Sequence, residues 1–193
     1  MNAAVFLDKD GTLIPDVPYN VDPELIVLQD NTIEGLKKLK SKGYLLIVVS
    51  NQAGIAKGLF KEVALDGVKG KLQELLRSKG IELDGFYFCP HHPEGTVKEF
   101  SIDCNCRKPK AGMFLKAARD FNIDLSQSWM IGDILHDVEA ANRAGCKSIL
   151  IDNGNETEWY INEFRKPDYM ANNINDAANH ILYTKTKQVH ERS

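Results

Sequence analysis

The sequence predicts an α/β fold built on a doubly wound parallel sheet, and three observations support this prediction. Short apolar segments alternate five times with segments of helical period, which is the pattern of a parallel sheet covered by helices. The segment 44–49 (YLLIVV) is apolar on both faces, as expected of a strand buried between two layers. Polar residues follow the first, second and fourth apolar segments, and the carboxyl ends of parallel strands are where ligands bind.

The elements follow in chain order. Strands are predicted at 3–7, 44–50, 86–88, 129–131 and 148–151. Amphipathic helices are predicted between them, at 32–42, 61–79, 111–122 and 136–144. Gly43, Gly80 and Gly145 mark three of the helix ends. A closing helix is expected at 177–183, followed by a frayed tail from Thr184.

Length and composition set limits on the class of protein. The 193 residues suit one well-buried domain, so we expect a single domain over residues 1–193. A net charge of -3 gives no general attraction to nucleic acid or to an anionic membrane. No apolar run approaches the roughly 20 residues that span a bilayer, and no basic leader precedes the first strand. We expect a cytoplasmic monomer without a nucleic-acid or membrane partner, in which cysteines stay reduced.

The first apolar segment ends in an acidic pair. It runs into Asp8-Lys9-Asp10-Gly11-Thr12, and residues two apart at a strand end point to the same side. One interpretation is an acidic turn after a strand. The other is a magnesium site in which one carboxylate attacks phosphorus and the other moves a proton. The stretch alone leaves both open, and polar residues at two further strand ends favour the second.

Phosphoryl transfer would give each strand-end residue a role. Asp8 would be the nucleophile, and Asp8, Asp133 and the main-chain carbonyl of Asp10 would be hard oxygen ligands for Mg²⁺. Asp10 would protonate the leaving oxygen and later deprotonate the attacking water. Ser50 would donate its hydroxyl to a phosphoryl oxygen.

Further polar residues lie near these strand ends in the predicted fold. The transition state needs a cation, for which Arg107 and Lys108 are the candidates. Asp137, one turn into the following helix, is either a further acid or a charge favoured by the helix dipole. The loop after the acidic pair has two prolines and no period. Within it, Asp16 and Tyr19 either reach a polar substrate or satisfy the loop backbone.

The loop 89–106 has metal-binding chemistry of its own. Its candidate ligands are Cys89, Cys104, Cys106 and one of two histidines, His91 or His92. Three thiolates and one imidazole match a tetrahedral structural zinc site, which leaves no position open for catalysis. The alternatives are free thiols or a redox pair of the last two cysteines, although a cytoplasmic setting disfavours a stable disulfide. Cys146 stands apart and suits a small core position.

These motifs resemble those of the haloacid dehalogenase superfamily of phosphatases. The matching residues are Asp8-Lys9-Asp10-Gly11-Thr12, Ser50, Lys108 and Gly132-Asp133, and the resemblance extends over residues 3–151. It implies a Rossmann-like sheet, a nucleophile at Asp8, a general acid/base at Asp10 and magnesium as cofactor. The inserts between elements are short, so the cap is expected to be minimal. The loop 89–106, called the zinc loop below, and the loop 13–20 would then supply substrate specificity.

The zinc loop and the segment 49–58 together resemble one subgroup, which joins heptose bisphosphate phosphatases and N-terminal histidinol-phosphatases. The resemblance implies a small phosphorylated sugar as substrate and His91 as the zinc ligand. It assigns Lys108 to the phosphoryl group and Arg107 to substrate recognition. It also assigns substrate contacts to Asp16, Tyr19, Ser50, Asn51 and Gln52. Ile134 is a departure, because the heptose enzymes commonly have Lys there.

Three functions remain in competition. The first is removal of the 7-phosphate of a heptose 1,7-bisphosphate, favoured because Arg107 suits a second anionic group on the substrate. The second is hydrolysis of histidinol phosphate. The third is a zinc-loop binding module on a scaffold that is no longer catalytic. The negative net charge and the intact set of Asp8, Asp10 and Asp133 argue against the third.

Overall fold

The computed structural model describes residues 1–190, and its core is one six-stranded sheet. The strands are β1 (Ala4–Leu7), β2 (Leu45–Asn51), β3 (Gly85–Cys89), β4 (Trp129–Gly132), β5 (Lys147–Ile151) and β6 (Tyr169–Ala171). They are ordered β3-β2-β1-β4-β5-β6, and every neighbouring pair is parallel. The predicted parallel α/β sheet is confirmed.

The first five helices lie between successive strands, and the sixth follows the last strand. They are α1 (Thr32–Ser41), α2 (Ala53–Ala56), α3 (Ala64–Arg77), α4 (Gly112–Phe121), α5 (Leu135–Ala144) and α6 (Ile174–His190). Short 3₁₀ turns at Pro23–Leu25 and Leu125–Gln127 complete the described elements. Within residues 1–190, no helix combines the length and the apolar character needed to cross a lipid bilayer.

Strand β1 lies at the point where the order of the strands reverses. Leu7 pairs with Val48 of β2 on one side and with Ile131 of β4 on the other. Ligands of open α/β sheets bind beyond the carboxyl ends of the strands at such a switch point. The residues that follow β1, β2 and β4 therefore meet at one edge of the sheet.

The sheet separates two apolar layers, and β1 contributes to both. Val5 and Leu7 face a layer that includes α1, α3 and α6. Ala4 and Phe6 face the opposite layer, formed with α4 and α5. All four side chains are fully buried, because alternate residues of a strand point to opposite faces and both faces are covered. This packing fixes the residues that follow Leu7.

The carboxyl edge of the sheet is covered by loops. The connection 8–31 contains only the 3₁₀ turn at Pro23–Leu25, and the connection 90–111 contains no helix or strand. A third irregular segment, 152–168, joins β5 to β6. The structure thus agrees with the expectation of a minimal cap.

The prediction for the last forty residues was incomplete. A sixth strand, β6, pairs with β5 through Tyr169 opposite Ile149, and its three residues are too few to produce an apolar pattern. Helix α6 begins at Ile174 and continues to His190, so the prediction of fraying from Thr184 was wrong over that range. Lys185 lies over the Tyr44 ring, 4.8 Å from its centre, which ties the helix to the body. The tail beyond 190 lies outside the described residues.

Packing of α1 against α6 yields a stability prediction. A Cβ at the buried Gly35 would lie 2.7 Å from the main-chain oxygen of Ile174, so Gly35→Ala forces the helices apart. We expect a loss of about 1–3 kcal/mol in the free energy of unfolding, measured by urea denaturation. The matched control is Gly70→Ala on the exposed side of α3, where a Cβ meets nothing within 4 Å. This control should gain about 0.5–1 kcal/mol, and equal effects at both sites would contradict the packing described here.

Candidate active site

The strand ends open into one cavity of 330 Å³. Asp8 follows β1 directly, and its N–H donates to the Ile131 carbonyl of β4 at 3.0 Å. The cavity wall includes Asp8, Asp10, Asp16, Tyr19, Asn51, Gln52, Arg107, Lys108, Asp133 and Asn155. Nearly all of the catalytic and substrate-binding residues predicted from the sequence therefore line one space. Ser50 is not part of the wall and is buried directly behind it.

The central cation of the site is Lys108, whose side chain is only 2% exposed. Its Nζ donates to Asp8 Oδ1 at 2.7 Å and to the Val49 carbonyl at 2.9 Å. The same Nζ forms an ion pair with Asp137 Oδ1 at 2.6 Å. Burial opposes the charged lysine, but the carboxylates of Asp137 and Asp8 outweigh it and raise the pKa of Lys108. Lys108 thus remains a buried ammonium group between two acids.

Asp137 combines the two roles left open by the sequence. It is fully buried in the first turn of α5, and its Oδ2 accepts the Ile134 N–H at 3.4 Å. Its other oxygen pairs with Lys108. Burial raises the pKa of Asp137, opposed by Lys108 and reinforced by the charge of Asp8. Gly132 makes room for this carboxylate, because a Cβ there would lie 2.3 Å from Asp137 Oδ2.

Asp133 follows β4 and is held through both carboxylate oxygens. Thr12 Oγ1 donates to Oδ1 at 2.9 Å, and Asn155 Nδ2 donates to Oδ2 at 2.7 Å. Burial and the nearby Asp8 carboxylate raise the pKa of Asp133 to about 6. Ligand oxygens of Asp8, Asp133 and Asp137 all lie within 4.8 Å of one another. Such a concentration of buried hard oxygen donors fits a divalent cation such as Mg²⁺.

The residue Asn155 belongs to a functional segment that sequence reasoning missed. Asn153 Nδ2, from the same loop, donates to the Gly11 carbonyl at 2.8 Å. Glu156 Oε2 accepts the Leu135 N–H at 2.6 Å, at the start of α5. The loop has no apolar period, so its only signal was its position after a strand that ends at the same sheet edge. We call residues 153–156 the clamp loop, because they attach to three parts of the site.

Gly11 allows the clamp loop and Asp133 to approach each other. Its φ is +81°, a left-handed conformation that glycine adopts without strain. A Cβ at this position would lie 2.0 Å from Asp133 Oδ2 and 2.6 Å from Asn155 Nδ2. The glycine that follows the acidic pair is therefore required both by the backbone conformation and by the space beside Asp133.

Asp10 and Asp133 are held by different residues. Lys9 Nζ forms an ion pair with Asp10 Oδ1, and Gln52 Nε2 donates to Oδ2 at 3.1 Å. The same Gln52 nitrogen donates to Ser50 Oγ at 2.7 Å. Burial raises the pKa of Asp10, while the Lys9 charge opposes this and the Asp8 charge adds to it. Asp10 is thus a candidate for proton transfer beside the Asp8 carboxylate.

The outer wall of the cavity holds the remaining predicted contacts. Tyr19 Oη accepts a hydrogen bond from Lys57 Nζ at 2.7 Å, and Asp16 lies in the same loop. Arg107 Nη1 donates to the His91 carbonyl at 3.3 Å. Asn51 uses its whole amide on the main chain of Lys108, donating to its carbonyl and accepting from its N–H, both at 3.0 Å. The contacts of Asn51 therefore fix the main chain of Lys108.

The three cysteines and His91 of the zinc loop converge. Sulfur–sulfur distances among Cys89, Cys104 and Cys106 are 2.9, 3.3 and 3.5 Å. His91 Nδ1 lies 3.7 Å from Cys89 Sγ and 3.4 Å from Cys106 Sγ. A tetrahedral zinc with Zn–S bonds of about 2.3 Å separates its sulfurs by about 3.8 Å, so the cluster is near the required size. The donor set, soft sulfur with one imidazole, fits zinc.

The cluster contains His91 but not the adjacent His92, and it does not include the fourth cysteine, Cys146. His92 is engaged elsewhere, since its Nδ1 accepts the Glu94 N–H at 3.1 Å. Hydrogen bonds from the Cys89 and Cys104 thiols and from His91 lower the pKa of Cys106 to about 5, which favours the thiolate that a metal binds. Cys146 is buried in the apolar layer with α4 and α5, as expected of a core residue.

The zinc loop is joined directly to the catalytic cavity. Cys106 immediately precedes Arg107 and Lys108, and the Arg107 N–H donates to Cys104 Sγ at 3.3 Å. Any ion that holds the four ligands would also fix the main chain that presents both cations. The arrangement can therefore stabilise negative charge that develops next to Asp8.

Comparison with known proteins gives consistent results. Residues 105–177 match the HAD-hydrolase-like family model. A D-glycero-beta-D-manno-heptose-1,7-bisphosphate 7-phosphatase from Yersinia pestis is 44% identical over 138 residues, covering 72% of this chain and 73% of the relative. A HAD-like phosphatase from Mesorhizobium loti superposes with a TM-score of 0.82 at 32% identity, covering 94% of this chain and 85% of its own. The D,D-heptose 1,7-bisphosphate phosphatase from B. bronchiseptica was solved with magnesium and phosphate. It superposes with a TM-score of 0.76 at 26% identity, covering 95% of this chain and 99% of its own.

The buried ion pairs of Lys108 lead to a stability prediction. Lys108→Met leaves the carboxylates of Asp8 and Asp137 buried without their cation, so we expect a loss of about 3–5 kcal/mol in the free energy of unfolding. The measurement is urea denaturation without added Mg²⁺. Lys110→Met is the control, because its ion pair with Asp103 is exposed and should cost at most about 1 kcal/mol. Similar losses for the two variants would contradict the buried ion-pair network.

Proposed function

We propose that this chain, which belongs to the haloacid dehalogenase-like family of D-glycero-beta-D-manno-heptose-1,7-bisphosphate 7-phosphatases, hydrolyses the 7-phosphate of a heptose 1,7-bisphosphate. The observation that supports this most directly is the Asp8 carboxylate at the switch point of the sheet, paired with the buried Lys108. A carboxylate held in this way beside a cluster of oxygen donors is suited to attack a phosphate ester. The reaction class is phosphoric monoester hydrolysis.

We assign the magnesium site to Asp8, Asp133 and the main-chain carbonyl of Asp10. The bound ion would neutralise the charges of carboxylate and phosphate, which otherwise repel each other. Asp8 attacks phosphorus, the ester oxygen leaves, and an aspartyl phosphate forms on Asp8. Lys108 holds Asp8 Oδ1 at 2.7 Å, so the nucleophile is oriented before the substrate arrives.

Proton transfer is assigned to Asp10. In the first step it gives its proton to the departing sugar oxygen, and in the second it takes a proton from the water that hydrolyses the aspartyl phosphate. Burial of Asp10 favours the protonated form that the first step needs. Ser50 donates its hydroxyl to a phosphoryl oxygen, and Lys108 offsets the negative charge of the transition state.

Recognition of the sugar is assigned to the outer wall of the cavity. Asp16 and Tyr19 offer polar groups to sugar hydroxyls, whereas the amide of Asn51, which the resemblance assigned to the substrate, is taken up by the main chain of Lys108. Arg107 provides a cation for the second phosphate, which distinguishes a bisphosphate from a monophosphate. The cavity of 330 Å³ is of a size that suits a small phosphorylated sugar.

The zinc loop is proposed to be structural. Cys89, His91, Cys104 and Cys106 would fill all four positions of a tetrahedral ion. The ion would hold the segment that carries Arg107 and Lys108 at the cavity. We further propose that the enzyme acts as a monomer in the cytoplasm, where these thiols stay reduced, and that it has no nucleic-acid or membrane partner.

The substrate assignment is tested by phosphate release in the presence of Mg²⁺. We expect rapid turnover of D-glycero-D-manno-heptose 1,7-bisphosphate, with retention of the 1-phosphate, and slow turnover of histidinol phosphate. Both substrates are assayed in parallel at the same enzyme concentration. Good turnover of histidinol phosphate without turnover of the bisphosphate would overturn the proposed substrate.

The nucleophile is tested with Asp8→Asn, which removes the attacking oxygen while keeping the side-chain shape. The loss in kcat should be on the order of 10⁴-fold or more, because chemistry at phosphorus then has no nucleophile. Asp66→Asn, on the exposed side of α3, is the control and should retain full activity. Substantial activity in Asp8→Asn, with an unchanged circular dichroism spectrum, would refute the assignment.

Metal analysis tests the zinc proposal. Purified protein should contain about one zinc per chain, and Cys104→Ser should lose it together with thermal stability. Cys146→Ala is the matched control, since Cys146 is a buried cysteine that is not one of the four clustered ligands, and it should keep the full zinc content. Zinc that persists in Cys104→Ser, or is missing from the wild type, would rule out the four-ligand site.

A further inference from the structure

The side chain of Gln52 joins two groups of the proposed reaction. Its single NH₂ group donates to Ser50 Oγ at 2.7 Å and to Asp10 Oδ2 at 3.1 Å. Resting on the proposed function, we propose that Gln52 is a positioning residue that orients the general acid Asp10 and the phosphoryl-binding Ser50 together. This differs from the substrate contact that resemblance implied for it.

Gln52 is well placed for such a role because its main chain is fixed on both sides. Its N–H donates to the Cys89 carbonyl at 2.8 Å, at the end of β3. Its carbonyl accepts the Ile55 N–H at 3.2 Å, in the first turn of α2. The residue is only 6% exposed, so its rotamer is confined by its surroundings. A side chain on such a rigid base can hold its partners within a narrow range of positions.

The donors around Asp10 leave its carboxyl group little freedom. Lys9, which is 1% exposed, occupies Oδ1, and Gln52 occupies Oδ2. With both oxygens held, the plane of the carboxyl group is set before a substrate binds. Loss of the Gln52 contact would leave Asp10 attached through one oxygen and free to rotate about that contact. Proton transfer depends on the distance and direction to the leaving oxygen, so such rotation slows the first step.

The same amide also determines where the Ser50 hydroxyl can donate. Because Ser50 Oγ accepts a hydrogen from Gln52, the hydroxyl hydrogen must point in another direction. Within residues 1–190 no protein group accepts that hydrogen. It is therefore left for the phosphoryl oxygen that the proposed reaction assigns to Ser50. Gln52 thus sets the geometry of an acid and of a phosphoryl donor through two hydrogens of one nitrogen.

The role of a general acid depends on the leaving group, which gives a specific readout. The alkoxide of a sugar hydroxyl is a poor leaving group and needs a proton as the P–O bond breaks. p-Nitrophenol is far more acidic, so p-nitrophenolate leaves without one. Removing the Gln52 donor should therefore damage hydrolysis of the sugar phosphate much more than hydrolysis of p-nitrophenyl phosphate. A residue that only binds the sugar would instead change KM.

The experiment compares Gln52→Met, which keeps the length of the side chain without its donors, and Gln52→Ala with the wild type. Each enzyme is assayed with the heptose bisphosphate and with p-nitrophenyl phosphate. We expect kcat/KM, which reports only the steps up to phosphoryl transfer to Asp8, to fall about 100-fold for the bisphosphate, with KM within about threefold. For p-nitrophenyl phosphate we expect kcat/KM to fall less than about tenfold. Gln127→Met, in the exposed 3₁₀ turn before β4, is the control and should match the wild type with both esters.

The outcomes separate this inference from the proposed function. Activity with p-nitrophenyl phosphate also shows that each variant has folded with an assembled site. A rise in KM with unchanged kcat, or an equal loss of kcat/KM with both esters, would overturn the positioning role and leave the phosphatase intact. If the wild type hydrolyses another alkyl phosphate but not the bisphosphate, the proposed substrate is wrong. The loss of kcat/KM for that ester, compared with the loss for p-nitrophenyl phosphate, then still decides the role of Gln52. Absence of turnover with every ester would overturn both.

Discussion

The buried ammonium group of Lys108 is the interaction on which the site depends. It lies between Asp8, at the end of β1, and Asp137, in the first turn of α5, at distances of 2.7 and 2.6 Å. Two acids this close in a buried space would repel each other, and the lysine charge makes their proximity possible. The pairs also join three segments that are far apart in sequence, because Lys108 lies two residues beyond the loop 89–106.

The remainder of the site can be understood as support for that lysine and for its acids. Asn51 binds the Lys108 main chain through both atoms of its amide, and the cysteine cluster lies immediately before it. Lysine is flexible and strongly hydrated, so holding it without water requires many fixed contacts. The zinc ion proposed for the cysteine cluster would provide such rigidity at low cost in chain length. It would explain why a segment without helix or strand can carry the central cation of the site.

Sequence reasoning located the parts of the site that follow from sheet geometry. Asp8 and Asp133 end apolar segments, and parallel strands bring such ends together whatever the details of packing. Sequence reasoning failed for elements and side chains whose positions depend on tertiary contacts alone. Strand β6 has three residues and no period, and Asn155 acts through one hydrogen bond from an irregular loop. The direction in which Gln52 points depends on the positions of Ser50 and Asp10, which spacing along the chain does not specify.

The clamp loop couples the region after β5 energetically to the residues around Asp133. Asn153, Asn155 and Glu156 bind Gly11, Asp133 and the start of α5, and the exposed Trp159 follows only three residues later. Coupling between two sites is reciprocal, so whatever holds Asp133 in place also orders this loop, and whatever disturbs the loop weakens the hold on Asp133. A change in 153–156 therefore has a route to Asp133 without contact with the substrate.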